Sequence, residues 1–119
     1  IQLAPRPVQV FAADALVFPT LYEPFGNVAL EAFACGLPVI TSSHSGAAEL
    51  IREGENGFSC DPLDHRQLTE AMKKLLSPDL RRKAALAARA TVEPFSLEKM
   101  SLTLLSLYNA LLIRAPIDP

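Results

Sequence analysis

The sequence has no long hydrophobic run, no large surplus of either charge and little cysteine. Each absence excludes something. No apolar stretch approaches the ~20 residues that cross a bilayer, and no signal peptide is visible. The formal net charge of −2 gives neither nucleic acid nor an anionic membrane surface an electrostatic reason to bind. Cys35 and Cys60 show no metal-ligand spacing and make no disulfide framework. They are expected to be core thiols in a reducing, cytoplasmic setting, with no metal and no cofactor. Internal repeats and low-complexity segments are also lacking.

The composition is that of ordinary globular material: 50% hydrophobic and 20% charged over 119 residues. A chain of this length supports one compact domain, burying roughly 65% of the surface it exposes when unfolded. It opens on Ile1-Gln2-Leu3, with no initiator methionine and no obvious first element. That is expected of a fragment or a processed product.

Local signals alternate between strand and helix. ALVFPT (15–20) is a short run of β-formers closed by Pro19 and reads as a buried strand. Helix follows from Asn27, expected as its N-cap, through Cys35. Gly36 suits a left-handed C-terminal cap, and Pro38 bars continuation. PVIT (38–41) reads as a second strand, SSHSG (42–46) as a loop and AAELI (47–51) as a short helix. ENG (55–57) is a turn signal, and GFSC (57–60) a third strand.

Three helices come next. Asp64 with Gln67 resembles a capping box, with Leu63 and Leu68 placed as a hydrophobic staple. Leu68, Ala71, Met72, Leu75 and Leu76 then form a helical stripe. Ser77-Pro78 starts a basic, alanine-rich helix running to about Thr91, and Ser96 caps the last, with Phe95 and Met100 as its staple. Arg81, Arg82, Lys83 and Arg89 read as a solvated helix face rather than a surface for lipid headgroups or an acidic partner. The pattern predicts an α/β fold: a Rossmann-like parallel half-sheet of about three strands, with flanking helices and a C-terminal helical tail. Ligands of such sheets bind beyond the carboxyl ends of the strands, which is where the segments 23–27 and 42–46 lie.

Chemistry concentrates in YEPFGNVALE (22–31). Gly26 and the start of the following helix offer backbone N–H groups and the positive end of a helix dipole to a diphosphate. A carboxylate accepts hydrogen bonds from neighbouring hydroxyls. Glu31, one turn into the helix, is placed to grip a ribose diol, and Glu23 a second sugar across the diphosphate. Two such carboxylates around one phosphate site describe a nucleotide-sugar. Spacing alone leaves the plainer alternative open, in which Glu31 complements the helix dipole and Glu23 is a solvated loop residue.

The run LYEPFGNVALEAFACGLPVITSSHSGAAELI, followed by ENGF and a capped helix, closely resembles the donor-binding half of retaining GT-B glycosyltransferases, family four (glycosyl transferases group 1). Their motif of two glutamates separated by seven residues corresponds to Glu23 and Glu31, and the likeness spans about 8 to 112. The resemblance implies that 1–119 is the C-terminal portion of a nucleotide-sugar-binding domain. Glu23 is then the catalytic-site residue that contacts the donor sugar, beside backbone groups of Phe25, Gly26 and Asn27. The amides of Val28 and Ala29 approach the diphosphate, and Glu31 holds the ribose. The implied partners are a nucleoside-diphosphate sugar and an acceptor sugar, lipid or other glycan, without nucleic acid or a transmembrane segment. A parent at the inner face of the membrane, attached peripherally, fits the same picture.

Ser45-Gly46 departs from a Gly-Gly common in the family, which raises the question of backbone freedom in that loop. The basic residues set against the leaving diphosphate, and the acceptor-binding domain, are expected upstream of Ile1. His44 reads as a solvated loop residue, with ligand contact as the lesser alternative. Leucines at 97, 102, 104, 105, 107, 111 and 112 cover more than one face of the last helix and require more than one neighbour. In the family that helix crosses onto the N-terminal domain. The chain alone is therefore expected to be inactive and to self-associate, through the strand at 15–19, the 97–112 helix or both. Two rival readings are a non-catalytic nucleotide-binding or interaction module and another GT-B enzyme, such as a sugar-nucleotide epimerase or a phosphorylase.

Overall fold

A computed structural model describes residues 12–114; the opening segment 1–11 lies outside the described residues. Three strands, β1 (Leu16–Phe18), β2 (Val39–Ser42) and β3 (Gly57–Cys60), form an open sheet in the order β1-β2-β3. Both pairings are parallel, with Leu16 opposite Val39 and Val39 opposite Gly57. The helices are α1 (Asn27–Ala34), α2 (His65–Lys74), α3 (Pro78–Val92) and α4 (Leu97–Arg114), with a 3₁₀ turn at Gly46–Leu50. This is the expected α/β half-sheet with its helical tail.

β2 is buried along its whole length, and alternation of its side chains builds two half-cores. Val39 points to one face, among Ala29, Ala32, Phe33, Leu37, Ala47 and Ala88 from α1, the turn that follows it, the 3₁₀ turn and α3. Ile40 points to the other, with Phe58, Cys60, Ala71 and Leu75. A strand covered on both faces has no polar side to show, hence the unbroken PVI run. Burial also raises the Cys60 thiol above its ordinary value, with the charges of Glu53, Asp61 and Asp64 adding to it.

Helix ends follow the sequence signals with three corrections. α1 closes as read: Gly36 at φ +76 returns its N–H to Phe33 O, and Leu37 N–H reaches Ala32 O, the paired bonds of a Schellman motif. Its start is shifted by one residue. Gly26, not Asn27, is the N-cap, and no side chain caps the helix. On α2, the Asp64 carboxylate accepts from Arg66 and Gln67 amides at 2.9 and 3.1 Å. Gln67 Oε1 accepts from Asp61 N–H instead of closing the box on Asp64. Leu63 stays 72% exposed, so little of the staple forms. The α2 stripe is also narrower than expected: Ala71 and Leu75 are buried against the sheet with Ile40 and Phe58, while Met72 and Leu76 are exposed.

ENG is more than a turn. Asn56 is fully buried; its Oδ1 accepts from Arg52 N–H at 2.8 Å, and its Nδ2 donates to Leu50 O and Thr91 Oγ1 at 2.9 and 2.8 Å. One amide thus ties the 3₁₀ turn, the β3 approach and α3 together. On the basic face, Arg81 meets Asp14 and the Leu75 carbonyl, and Arg82 meets Asp79.

α4 is the outlier. Ser96 caps it through Lys99 N–H at 3.1 Å, yet from Leu97 to Ile113 every side chain is exposed, Leu105 by 58% and Leu112 by 73%. The neighbours that its apolar faces require are not among the described residues.

Candidate functional site

The site begins where β1 and β2 end. Beyond Phe18 the chain runs through an exposed segment to Glu23, which forms an isolated parallel bridge with Ser45, just past β2. The loops leaving two adjacent strands are thereby joined at the carboxyl edge of the sheet, the edge named from sequence. Glu23 is half-buried there, while Glu31 is exposed on α1. Among the described residues no basic side chain pairs with either carboxylate.

The turn at Gly26 sets the rest. At φ +83 and ψ +66 its backbone is left-handed, a region where glycine carries no steric penalty. A Cβ there would sit 3.4 Å from Glu23 Cγ, 3.4 Å from Ser45 Oγ and 3.6 Å from the Phe18 ring. The space above Gly26 is therefore walled by the Glu23 stem and the Ser45 hydroxyl. An asparagine cap would have spent its side-chain oxygen on the first amides of α1. With glycine at the cap, the Asn27 and Val28 N–H groups have no partner among the described residues and stand at the positive end of the helix dipole. Ala29 is different. Its N–H is turned onto Gly26 O at 2.9 Å.

The loop 42–46 shows what sequence reasoning missed. Ser45 stands at φ −99 and ψ +138, extended backbone that any residue adopts, which answers the question raised by the missing first glycine. Its hydroxyl accepts from Ala47 N–H at 3.2 Å and faces Phe25 O at 3.5 Å. His44 is exposed, with Nδ1 3.3 Å from Leu21 O; it fastens one loop to the other. A serine, a histidine and a glycine just after a strand gave no signal of that joining, because their partners are backbone atoms about twenty positions away.

Beside the site, a groove of about 550 Å³ runs between the start of α1 and α4, floored by Phe25, Leu30, Phe95, Met100 and Leu104, with Asn27 and Lys99 at its edges. Phe95 and Met100, paired from sequence as a staple, both face it. No group of residues among those described has the make-up of a metal site, and no helix among them is long and apolar enough to cross a membrane.

Comparison with known proteins gives consistent matches. The family model described as glycosyl transferases group 1 matches residues 8–91, ending short of the 112 expected from sequence. A glycogen synthase of Mycobacterium tuberculosis is 46% identical over 78 residues, 65% of this chain and 19% of that protein. Among solved structures, sucrose-phosphate synthase from Thermosynechococcus elongatus superposes with a TM-score of 0.83 at 35% identity, over 91% of this chain and 28% of its own. HepE of Anabaena, solved in complex with UDP-glucose, superposes with a TM-score of 0.76 at 28% identity, over 91% of this chain and 30% of its own. This chain spans less than a third of the length of each of these relatives.

Proposed function

The chain belongs to glycosyl transferases group 1, and from that premise we propose that it is the nucleotide-sugar-binding part of a retaining glycosyltransferase. Its parent moves a sugar, a hexose on this reading, from a nucleoside diphosphate to an acceptor in the cytoplasm. The observation that carries the proposal is the uncapped start of α1 beside Glu23: backbone donors at a positive dipole end, next to a carboxylate at the carboxyl rim of a parallel sheet.

Each group then has a role. Asn27 and Val28 amides take the diphosphate oxygens and favour the charge that grows on the leaving group, a fixed electrostatic contribution of the oxyanion-hole type. Glu31 accepts from the ribose hydroxyls. Glu23, with Phe25 and Gly26 backbone beside it, accepts from hydroxyls of the donor sugar and holds it as it becomes oxocarbenium-like. Retention follows from attack of the acceptor hydroxyl on the face that the diphosphate leaves, with the hydroxyl proton passing to a departing phosphate oxygen as the bond from the sugar to that phosphate breaks. Upstream basic residues complete the diphosphate site in the parent, so this chain by itself binds donor weakly and is catalytically silent.

The two carboxylates are separable by experiment. In the intact protein, Glu31→Ala weakens the nucleoside diphosphate itself, whereas Glu23→Ala spares it and impairs sugar transfer. Losing one charge-assisted hydrogen bond costs about 1.5–3 kcal/mol, roughly ten- to a hundred-fold. Calorimetry that finds the same loss of nucleoside diphosphate affinity in both variants refutes the division of labour.

A further inference from the structure

We infer that Gly46 is a positioning residue for Glu23, acting through a backbone strap between the two strand-end loops. The strap has two hydrogen bonds: Glu23 N–H to His44 O at 3.5 Å, and Gly46 N–H to Glu23 O at 3.0 Å. Together they prolong the parallel pairing of β1 and β2 beyond both strands. The Ser45 hydroxyl at Phe25 O and the His44 ring at Leu21 O hold the same segment from either side.

Close approach is what the strap demands. A Cβ on Gly46 would lie 2.1 Å from Pro24 O and 3.0 Å from both Pro24 C and Phe25 Cα. These are backbone atoms, so no rotamer change relieves the overlap. Ordinary contact begins at 3.4 Å, and one side must retreat by more than an ångström. The yielding side is the turn. Pro24 and Phe25 are exposed, whereas α1 is anchored by Ala29, Ala32 and Phe33, all at 0% exposure, and Gly46 leads directly into Ala47, which is also fully buried. Displacing the turn displaces the Glu23 stem above Gly26 while leaving Glu31, on the buried helix, in place. Gly46 therefore sets the carboxylate that faces the sugar without touching the ligand.

The catalytic consequence rests on the reading of Glu23 given above, and the test separates the two. Gly46→Ala and Ser45→Ala are made in the intact protein and followed first by amide hydrogen exchange without ligand. Exchange at the two strap amides, Glu23 and residue 46, corrected for intrinsic rate, is expected to rise about ten-fold or more in Gly46→Ala, and less in Ser45→Ala, with 29–34 unchanged in both. Transfer is then measured with UDP-glucose, ADP-glucose and GDP-glucose, alongside binding of the matching nucleoside diphosphates. A shift of about an ångström in a substrate-positioning group lowers the rate about a hundred-fold, with nucleoside diphosphate affinity expected to stay within about two-fold of wild type. Unchanged exchange at both strap amides overturns the strap. Exchange that also rises across 29–34 overturns it too, since Gly46 would then serve the fold as a whole. Altered exchange with unaltered transfer leaves the strap standing and removes Glu23 from sugar binding. Parallel loss of nucleoside diphosphate affinity and transfer overturns the separation of turn from helix.

Discussion

Replacing Asn56 with alanine tests the packing logic most directly. The side chain is fully buried and makes three hydrogen bonds, to Arg52 N–H, Leu50 O and Thr91 Oγ1. The Thr91 arm is buried, and Thr91 keeps a bond to Ala87 O and another from Arg52 when Asn56 is gone. Arg52 N–H and Leu50 O lie nearer the surface, where water replaces part of what they lose. Assigning about 1 kcal/mol to each of the three bonds gives a loss of about 3 kcal/mol. For a chain of this size that lowers Tm by about 12 °C, at about 4 °C per kcal/mol. Urea unfolding of Asn56→Ala, Thr91→Val and the double variant measures both the total and the pair. Coupling of about 1 kcal/mol is expected between the two residues. A total loss below about 1 kcal/mol, or strictly additive single effects, would show that the amide does not tie α3 to the β3 approach.

Two further outcomes are expected. Backbone N–H bonds from Gln67 and Arg66 hold the Asp64 carboxyl below its ordinary value of 3.8. A lowered folded value makes the cap's contribution fully present above 3.8 and lost as pH falls through the lower value. Carbon-13 titration should therefore place the Asp64 midpoint below 3.8, with the first amides of α2 losing protection at the same pH; a midpoint at or above it refutes the cap. The apolar residues of α4 are exposed along its length, and patches of that kind drive association. Sedimentation of this chain at micromolar concentration is expected to find a dimer or larger species, and a clean monomer contradicts that expectation.

Local physics made much of this protein readable in advance. Left-handed Gly36 followed by Pro38 ends α1 in any context that permits the helix, because the bonds involved span only a few residues. Short apolar runs separated by capped helices specify parallel strands, since a crossover helix returns the chain to the same end of the sheet. The positions of Glu23, in the turn at a strand end, and Glu31, on the helix that follows, were legible because strand end, turn and helix start are consecutive in the chain.

Long-range partners were not legible. Asn56 reads as a turn residue and becomes the buried link to Thr91, thirty-five positions away. Gly26 takes the cap from Asn27 because the bridge between Glu23 and Ser45 fixes how the chain enters α1. Gly46 looks like any loop glycine until the Pro24 carbonyl is seen 2.1 Å from where its Cβ would be. Periodicity and capping act within one or two helical turns, so the elements and their order follow from neighbouring residues alone. Close backbone approach arises only when distant loops meet, so the glycine that positions the carboxylate is picked out only once the chain has folded.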